Sequence, residues 1–381
     1  MSTNASTPPL ADRKMSEDDW NELLGSLQRG ACVLILGPGA IVGPDGTVLH
    51  DTLCQLLAKE LGQEVPDSSE KLFHLATQIT QKRGWRKLLS DLTRKAYHGQ
   101  SVHPAYGKLA QIPFHLLMSV SPDQLIPQAF EAQGIPHQFG YYNYKRNPEL
   151  DGPPSKELPL IYNLFGVLED EDSMVLTHES LFDFLFSILS TKRLPLELKD
   201  SLQQSLNLVF LGFDFGSWYL KILLRLFESH NKEVSYAHAW RSDLLRPDLR
   251  TLYQSELFKL DFVNTNITEF IEALHQRCES DGLLREVGEG GGAKTLFEQV
   301  SDLLKKGEVE GAIDFLDNLT TDLMTKSGNN DLFTEVVLLS RRHNGLISQQ
   351  NKGTISTDNA KLELNQIVDA LLGVAQSIDE S

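Results

Sequence analysis

Cysteine is scarce in this sequence and is never closely paired. Only three cysteines occur among 381 residues, at Cys32, Cys54 and Cys278, and none forms a C-x-x-C pair. This spacing excludes the usual structural zinc site and gives no basis for a disulfide framework, so we expect no metal site. Cys32 and Cys54 stand in apolar surroundings, where a cysteine packs as a small hydrophobic residue. A reducing cytoplasm is the expected compartment.

Long apolar runs and an excess of basic residues are missing as well. No uninterrupted apolar stretch reaches the length of a membrane-spanning helix, and the polar residues 1–13 lack the apolar region of a signal peptide. The chain has 35 basic and 52 acidic residues, a formal charge of −17. This balance argues against non-specific binding to nucleic acid or to an anionic membrane. It leaves a small anionic ligand in a local pocket possible.

Strand-length apolar runs alternate with helical patterns as far as residue 275. The candidate strands are 32–36, 114–120, 138–144, 160–165, 206–211, 234–240 and 258–263. Such an alternation predicts an α/β fold with a doubly wound, mostly parallel, Rossmann-like sheet. Several of these runs end in glycine or in Ser-Pro-Asp, so the carboxyl ends of the strands are expected to line one ligand crevice.

The composition changes at residues 287–292, where four of six residues are glycine. Such a segment is typical of a flexible linker. Beyond it the apolar residues recur at helical spacing, which predicts a small all-α bundle. We therefore divide the chain into a disordered tail (1–14), a nucleotide-binding domain (15–283), a glycine-rich linker (284–293) and a helical domain (294–381).

The turn after the first predicted strand is the most informative local pattern, and it consists of Gly37, Pro38, Gly39 and Ala40. Glycine allows a close approach of the backbone. In nucleotide-binding sheets the group approached is often a pyrophosphate, held by backbone N–H groups. The third glycine of the dinucleotide fingerprint is missing, and proline lacks an N–H. An ordinary tight turn is the alternative interpretation.

The large domain resembles the bacterial, NAD-consuming branch of the sirtuin family over roughly residues 16–280. The similar segments are Leu36-Gly37-Pro38-Gly39-Ala40, His103 through Asp123, Ile161-Tyr162-Asn163-Leu164-Phe165-Gly166 and the strand end from Phe210 to Tyr219. The absence of a zinc ribbon agrees with that branch. The resemblance implies a sirtuin-like fold with NAD as ligand or substrate.

The resemblance also implies the site residues. The implied nucleotide-binding residues are Gly37, Pro38, Gly39, Ala40, Ser121, Asp123, Gly212, Phe213 and Asp214, and the implied catalytic residues are Ser121 and Asp123. The sequence departs from the family at two positions, because Ser121 stands at the position of the NAD-cleaving asparagine and Phe165 at that of the catalytic histidine. Loss of a general base typically costs about 10²–10⁴-fold in rate.

Other residues of the large domain have two interpretations each. The Asp214 carboxylate suits a ribose hydroxyl, or it caps the helix predicted from Trp218. Four histidines could replace the missing base, namely His103, His115, His137 and His178. A core role is the alternative for His115, an exposed loop role for His103 and a helix start for His178.

The helical domain resembles the effector-associated domains of bacterial conflict and antiviral systems over residues 294–376. The similar segments are 338–344, 352–356 and 363–367, with Gln366 where the family usually has arginine. The resemblance implies a protein partner bound through helical contacts. A structural appendage is the alternative.

Three functions remain open from the sequence. The first is an NAD-binding or nucleotide-binding protein of a defence system, with impaired NAD cleavage and a protein partner bound through its tail. The second is an active NAD glycohydrolase that converts NAD and water to ADP-ribose and nicotinamide. The third is a scaffold without a ligand. A homo-oligomer is compatible with each of them.

Overall fold

The computed structural model describes residues 13–144, 150, 152–191, 194–227, 234–239 and 246–287, and beyond them 300–301, 303–304, 309, 311–313, 315–316, 320, 331–351 and 354–379. The chain forms two compact units, Met1–Gly291 and Gly292–Ser381. No helix among these described residues is long and apolar enough to cross a membrane.

The first unit alternates strands and helices along the chain. Its strands are β1 (Cys32–Leu36), β2 (Leu116–Ser119), β3 (Gln138–Tyr141), β4 (Leu160–Asn163), β5 (Asn207–Phe213), β6 (Val234–Ala239) and β7 (Leu260–Phe262). Its α-helices are α1 (Glu17–Gln28), α2 (Leu49–Leu61), α3 (Lys71–Ile79), α4 (Trp85–Tyr97), α5 (Ala105–Gln111), α6 (Leu125–Ala132), α7 (His178–Phe186), α8 (Leu196–Gln204), α9 (Leu220–Leu226), α10 (Pro247–Gln254) and α11 (Ile267–Ser280).

The seven strands form one parallel sheet in the order β3-β4-β2-β1-β5-β6-β7. The chain starts in the middle with β1, builds one half through β2, β3 and β4, and then crosses to β5 on the other side of β1. This confirms the predicted doubly wound α/β fold. The order reverses at β1, and the crevice beside such a reversal is where open parallel sheets bind ligands.

Two apolar cores cover the two faces of the sheet. All five residues of β1 are buried, as expected for a central parallel strand with helices on both sides. Successive side chains point to opposite faces, so Leu34 and Leu36 belong to one core and Val33 and Ile35 to the other. The carboxyl end of β1 is therefore fixed between two packed layers.

Two arginines near the predicted domain boundaries are bound to the first unit. Arg13, within the predicted tail 1–14, donates to Asp19 and Asp261, each at 2.8 Å; residues 1–12 of that tail lie outside the described residues. Arg285, within the predicted linker 284–293, donates to the carbonyls of Ala110 (2.7 Å) and Lys156 (2.8 Å). Ordered structure thus extends beyond both predicted boundaries; residues 288–293 of the linker lie outside the described residues.

The second unit contains the helices α12 (Asp331–Asn351) and α13 (Thr357–Asp379). Its apolar core includes Val336 and Leu339 from α12 and Ile367 and Leu371 from α13. Helical residues between 300 and 320 contribute further side chains, such as Val300 and Leu316. The helical pattern predicted after the linker is confirmed for these residues. Leu296, Leu319 and Leu323, which are also apolar residues at helical spacing, lie outside the described residues.

Candidate functional site

Four turns meet around one cavity at the carboxyl edge of the sheet. Three of them follow β1 (37–40), β2 (121–123) and β4 (165–166), and the fourth (212–216) comprises the last two residues of β5 and the three after it; these strands are neighbours in the strand order. Pro38, Ser121, Phe165 and Asp214, one residue from each turn, line this cavity. The sheet order brings them together, because the carboxyl ends of adjacent parallel strands lie at the same edge. We call these segments the four site turns.

The glycines of the first and fourth turns serve the contact between two backbones. A Cβ atom on Gly37 would lie 2.5 Å from the carbonyl oxygen of Gly212, and one on Gly212 would lie 2.3 Å from the backbone nitrogen of Ala40. Gly212 also has a φ of +74°, which side chains disfavour. Both positions therefore require glycine for the packing of the turn after β1 against the end of β5, whatever ligand is bound.

The same packing limits what the first turn can offer a phosphate. The N–H of Gly37 donates to the carbonyl of Leu211 at 2.7 Å, and the N–H of Ala40 donates to the carbonyl of Gly37 at 3.0 Å. Proline has no N–H, so Pro38 cannot contribute. At most one backbone amide of this turn, that of Gly39, can reach a pyrophosphate in this arrangement.

The second turn carries a buried chain of polar side chains. The Ser121 hydroxyl donates to the Asp123 carboxylate, and both side chains are buried. Tyr97 and Ser121 both line the cavity. Burial raises the pKa of the Tyr97 phenol above its ordinary value, so it remains a neutral hydroxyl at physiological pH.

Asp123 holds the start of a helix together. One carboxylate oxygen accepts the Leu125 N–H at 3.0 Å and the other accepts the Ser121 hydroxyl. Its backbone carbonyl accepts from the Asn163 side chain at 2.7 Å. Burial raises the pKa of this carboxyl group. Both oxygens are committed inside the protein, and Asp123 is absent from the cavity wall, unlike Ser121 before it.

The third turn presents an aromatic ring where the resemblance implies a histidine. Phe165 is 3% exposed and packs edge-on against Phe184 (5.2 Å between centroids) and Phe73 (6.3 Å). The ring of Tyr219 lies 6.2 Å away. A phenyl ring can neither accept nor donate a proton, so this wall of the cavity is apolar and sterically filled.

The fourth turn is built around Asp214, which is half-buried and lines the cavity. One of its carboxylate oxygens accepts from the Ser69 hydroxyl and from the Gly216 N–H, both at 2.9 Å. The Asp214 side chain does not cap the following helix, because the residue preceding α9 is Tyr219 and no side chain caps it. Phe213 is buried in the core beneath.

Of the four candidate histidines, His178 comes nearest to the cavity. Phe73, which lines the cavity, has its ring 5.8 Å from that of His178. His103 instead accepts the N–H of Ala105 at 3.2 Å, and His137 contacts the carbonyl of Ile135. His115 is buried at the start of β2. These three positions serve local structure.

Sequence reasoning missed four cavity residues that precede or begin α3, namely Ser69, Glu70, Leu72 and Phe73. They come from a helix distant in the sequence from every strand end of the site. A signal was present in the spacing of Glu70 and His74, because residues four apart lie on one face of a helix.

The cavity offers polar groups of the kind that bind a sugar, but in this arrangement it is too small for a dinucleotide. Ser121, Asp214 and Ser217 line it with hydroxyls and a carboxylate. Its volume is only about 20 Å³, and one water needs about 10–15 Å³. A dinucleotide therefore fits only if lining side chains move, and no reaction step through NAD follows from this arrangement.

Comparison with known families agrees with the fold and with both resemblances. Residues 118–260 match the family model of a SIR2-like domain, and residues 295–379 match that of Effector-associated domain 11. The chain thus combines a SIR2-like domain with a C-terminal effector-associated domain. The first match begins after the glycine turn of residues 37–40, so it covers three of the four site turns. No curated protein matches the chain.

Proposed function

We propose that this protein is an NAD-related effector of a bacterial antiviral or conflict system, and that its first unit binds NAD or a related nucleotide at the four site turns. The pairing of a SIR2-like domain with an effector-associated domain supports the class. The convergence of Pro38, Ser121 and Asp214 on one cavity supports the location.

In this proposal NAD is bound but cleaved poorly. The observation that carries it is Phe165, a buried ring without a titratable group at the position of the family histidine. Ser121 replaces the family asparagine, and its hydroxyl is engaged by Asp123. Since each lost acid–base group typically costs about 10²–10⁴-fold, the two changes together leave little turnover.

The test is nicotinamide release from NAD by the full chain and by the double variant Ser121→Asn/Phe165→His. We expect no measurable release from the wild type and at least about 10²-fold more from the double variant. Phe182→His is the matched control, because Phe182 is 58% exposed. Measurable nicotinamide release by the wild type would overturn impaired cleavage, whether or not the double variant folds.

The second unit would supply the coupling to a protein partner. Leu338 on α12 and Leu362 on α13 are more than half exposed, although both helices already bury a core. Exposed leucines on packed helices suit an apolar contact with another helical domain. These exposed leucines therefore suit a partner protein that has an effector-associated domain of its own.

An active NAD glycohydrolase is the second candidate, and His178 favours it. Partial burial, and then the neighbouring His74, lowers the pKa of His178, so its imidazole is neutral at pH 7 and able to accept a proton. Nicotinamide release by the wild type that is lost in His178→Ala would select this function.

A ligand-free scaffold is selected if neither NAD nor ADP-ribose raises the unfolding temperature, since binding to the native state must raise it.

A further inference from the structure

Glu70, His74 and His178 form a cluster beside the cavity that the sequence did not predict. One ligand atom from each side chain lies within 4.8 Å of the other two. The two imidazole rings are 5.1 Å apart between centroids. His74 is exposed, and Glu70 and His178 are half-buried, so the cluster can be reached from solvent.

Two helices hold these side chains in place. Glu70 precedes the first residue of α3, and His74 lies one turn further on the same helix. The backbone N–H of His178 donates to the Thr77 hydroxyl of α3 at 3.0 Å, which ties the start of α7 to α3. Thr177 caps α7 through a reciprocal pair of hydrogen bonds with Ser180. The three ligand-bearing positions thus lie where α3 and α7 are held against each other.

The donor set is that of a transition-metal site. Two imidazoles and one carboxylate bind Zn²⁺ in catalytic sites that keep a position open for water or an anion. Ligand atoms around a tetrahedral zinc ion at about 2.1 Å are about 3.4 Å apart. The ligand atoms here lie within 4.8 Å of one another, so binding requires the three side chains to rotate toward a common point.

We propose that Glu70, His74 and His178 bind one divalent transition-metal ion of the Zn²⁺ class. The backbone N–H of Trp218 donates to one carboxylate oxygen of Glu70 at 3.4 Å, and a hydrogen bond to a ligating carboxylate orients it for the metal. Glu70 also lines the cavity, so the ion lies at the cavity edge. This proposal departs from the expectation, drawn from the cysteine spacing, that the chain has no metal site.

The test is a calorimetric titration of the full chain with Zn²⁺ in the absence of nucleotide, so that its outcome does not depend on the proposed function. We expect one site per chain. His74→Ala and His178→Ala should each weaken binding at least about 10-fold. His98→Ala is the control, because His98 is exposed at the end of α4 and away from the cluster.

Co²⁺ gives a second readout. Bound Co²⁺ should develop the visible absorption of a four-coordinate N/O site in the wild type and in His98→Ala, and this absorption should be lost in His74→Ala. Tryptophan fluorescence verifies that each variant is folded. Absence of one-to-one binding in the wild type, or equal affinity in wild type and both ligand variants, would overturn the proposal.

Discussion

Gly37 and Gly212 determine how the two central turns of the site pack. Each brings its backbone to a distance from its neighbour that leaves no room for a Cβ atom. A glycine-rich turn after a strand is commonly interpreted as a phosphate cradle. Here the backbone that comes close to the glycine turn belongs to the protein itself, and only one backbone amide of the turn can bind a phosphate.

Gly212→Ala should destabilise the first unit strongly. The substitution combines a φ of +74° with a Cβ atom 2.3 Å from the Ala40 backbone, and we expect a loss of about 3 kcal/mol or more. Urea unfolding followed by tryptophan fluorescence measures it, since all four tryptophans lie in the first unit.

Gly46→Ala provides the matched control for that measurement. Gly46 has a φ of +84° but nothing within 4 Å of an added Cβ atom, so only the backbone cost of about 1–2 kcal/mol applies. An equal loss of unfolding free energy in the two variants would show that the contact between the turns of Gly37 and Gly212 does not contribute to stability.

Among the secondary-structure elements, the strands are those that the sequence predicts best. The run at 32–36 gives β1 with the predicted bounds. Strong apolar periodicity specifies such elements locally.

The site was predictable only where it follows the strands. The turns after β1, β2, β4 and β5 are local in sequence, and the parallel sheet brings them together. Glu70 lines the cavity and His74 lies beside His178 because α3 packs against α7, a contact between residues about a hundred positions apart. No pattern in a single sequence specifies such a contact.

A buried histidine next to the first residue of β2 makes the free energy of unfolding depend on pH. His115 is buried there, and burial lowers its pKa to about 4, against about 6.5 in the unfolded chain. Between these values the unfolded state binds the proton and the native state does not, so stability falls as pH falls from about 6.5 to about 4.

His115→Gln should remove that part of the acid sensitivity. Between pH 7 and pH 5 the wild type should lose about 2 kcal/mol more than the variant, as measured by urea unfolding at both pH values. An equal loss in the two proteins would show that His115 takes up its proton in the folded state as readily as in the unfolded chain.

At the scale of the whole molecule, the two units have separate cores, and the boundary between them can be located by Arg285. Its guanidinium donates to the carbonyls of Ala110, Ile112, Phe114 and Lys156. Burial lowers the pKa of Arg285 to about 10, and it remains charged at pH 7. Residues 284–287 therefore contribute to the fold of the first unit.

A chain ending at residue 287 should unfold at the same urea concentration as the first unit of the full chain. A chain ending at residue 283 should lose about 3 kcal/mol, because four partly buried carbonyls lose their hydrogen bonds from the Arg285 guanidinium. Tryptophan fluorescence again measures both transitions. Equal stability of the two shortened chains would contradict the role given to Arg285.

The measurement that tests the account most directly is calorimetric binding of ADP-ribose to the full chain, to Asp214→Ala and to Asp45→Ala. Asp45 is the matched control, since its carboxylate accepts the Thr47 N–H at 2.9 Å in a similar turn outside the cavity wall. We predict saturable binding by the wild type and by Asp45→Ala, and at least about 10-fold weaker binding by Asp214→Ala. No binding by the wild type, or equal binding by all three proteins, would contradict a nucleotide site at the four site turns.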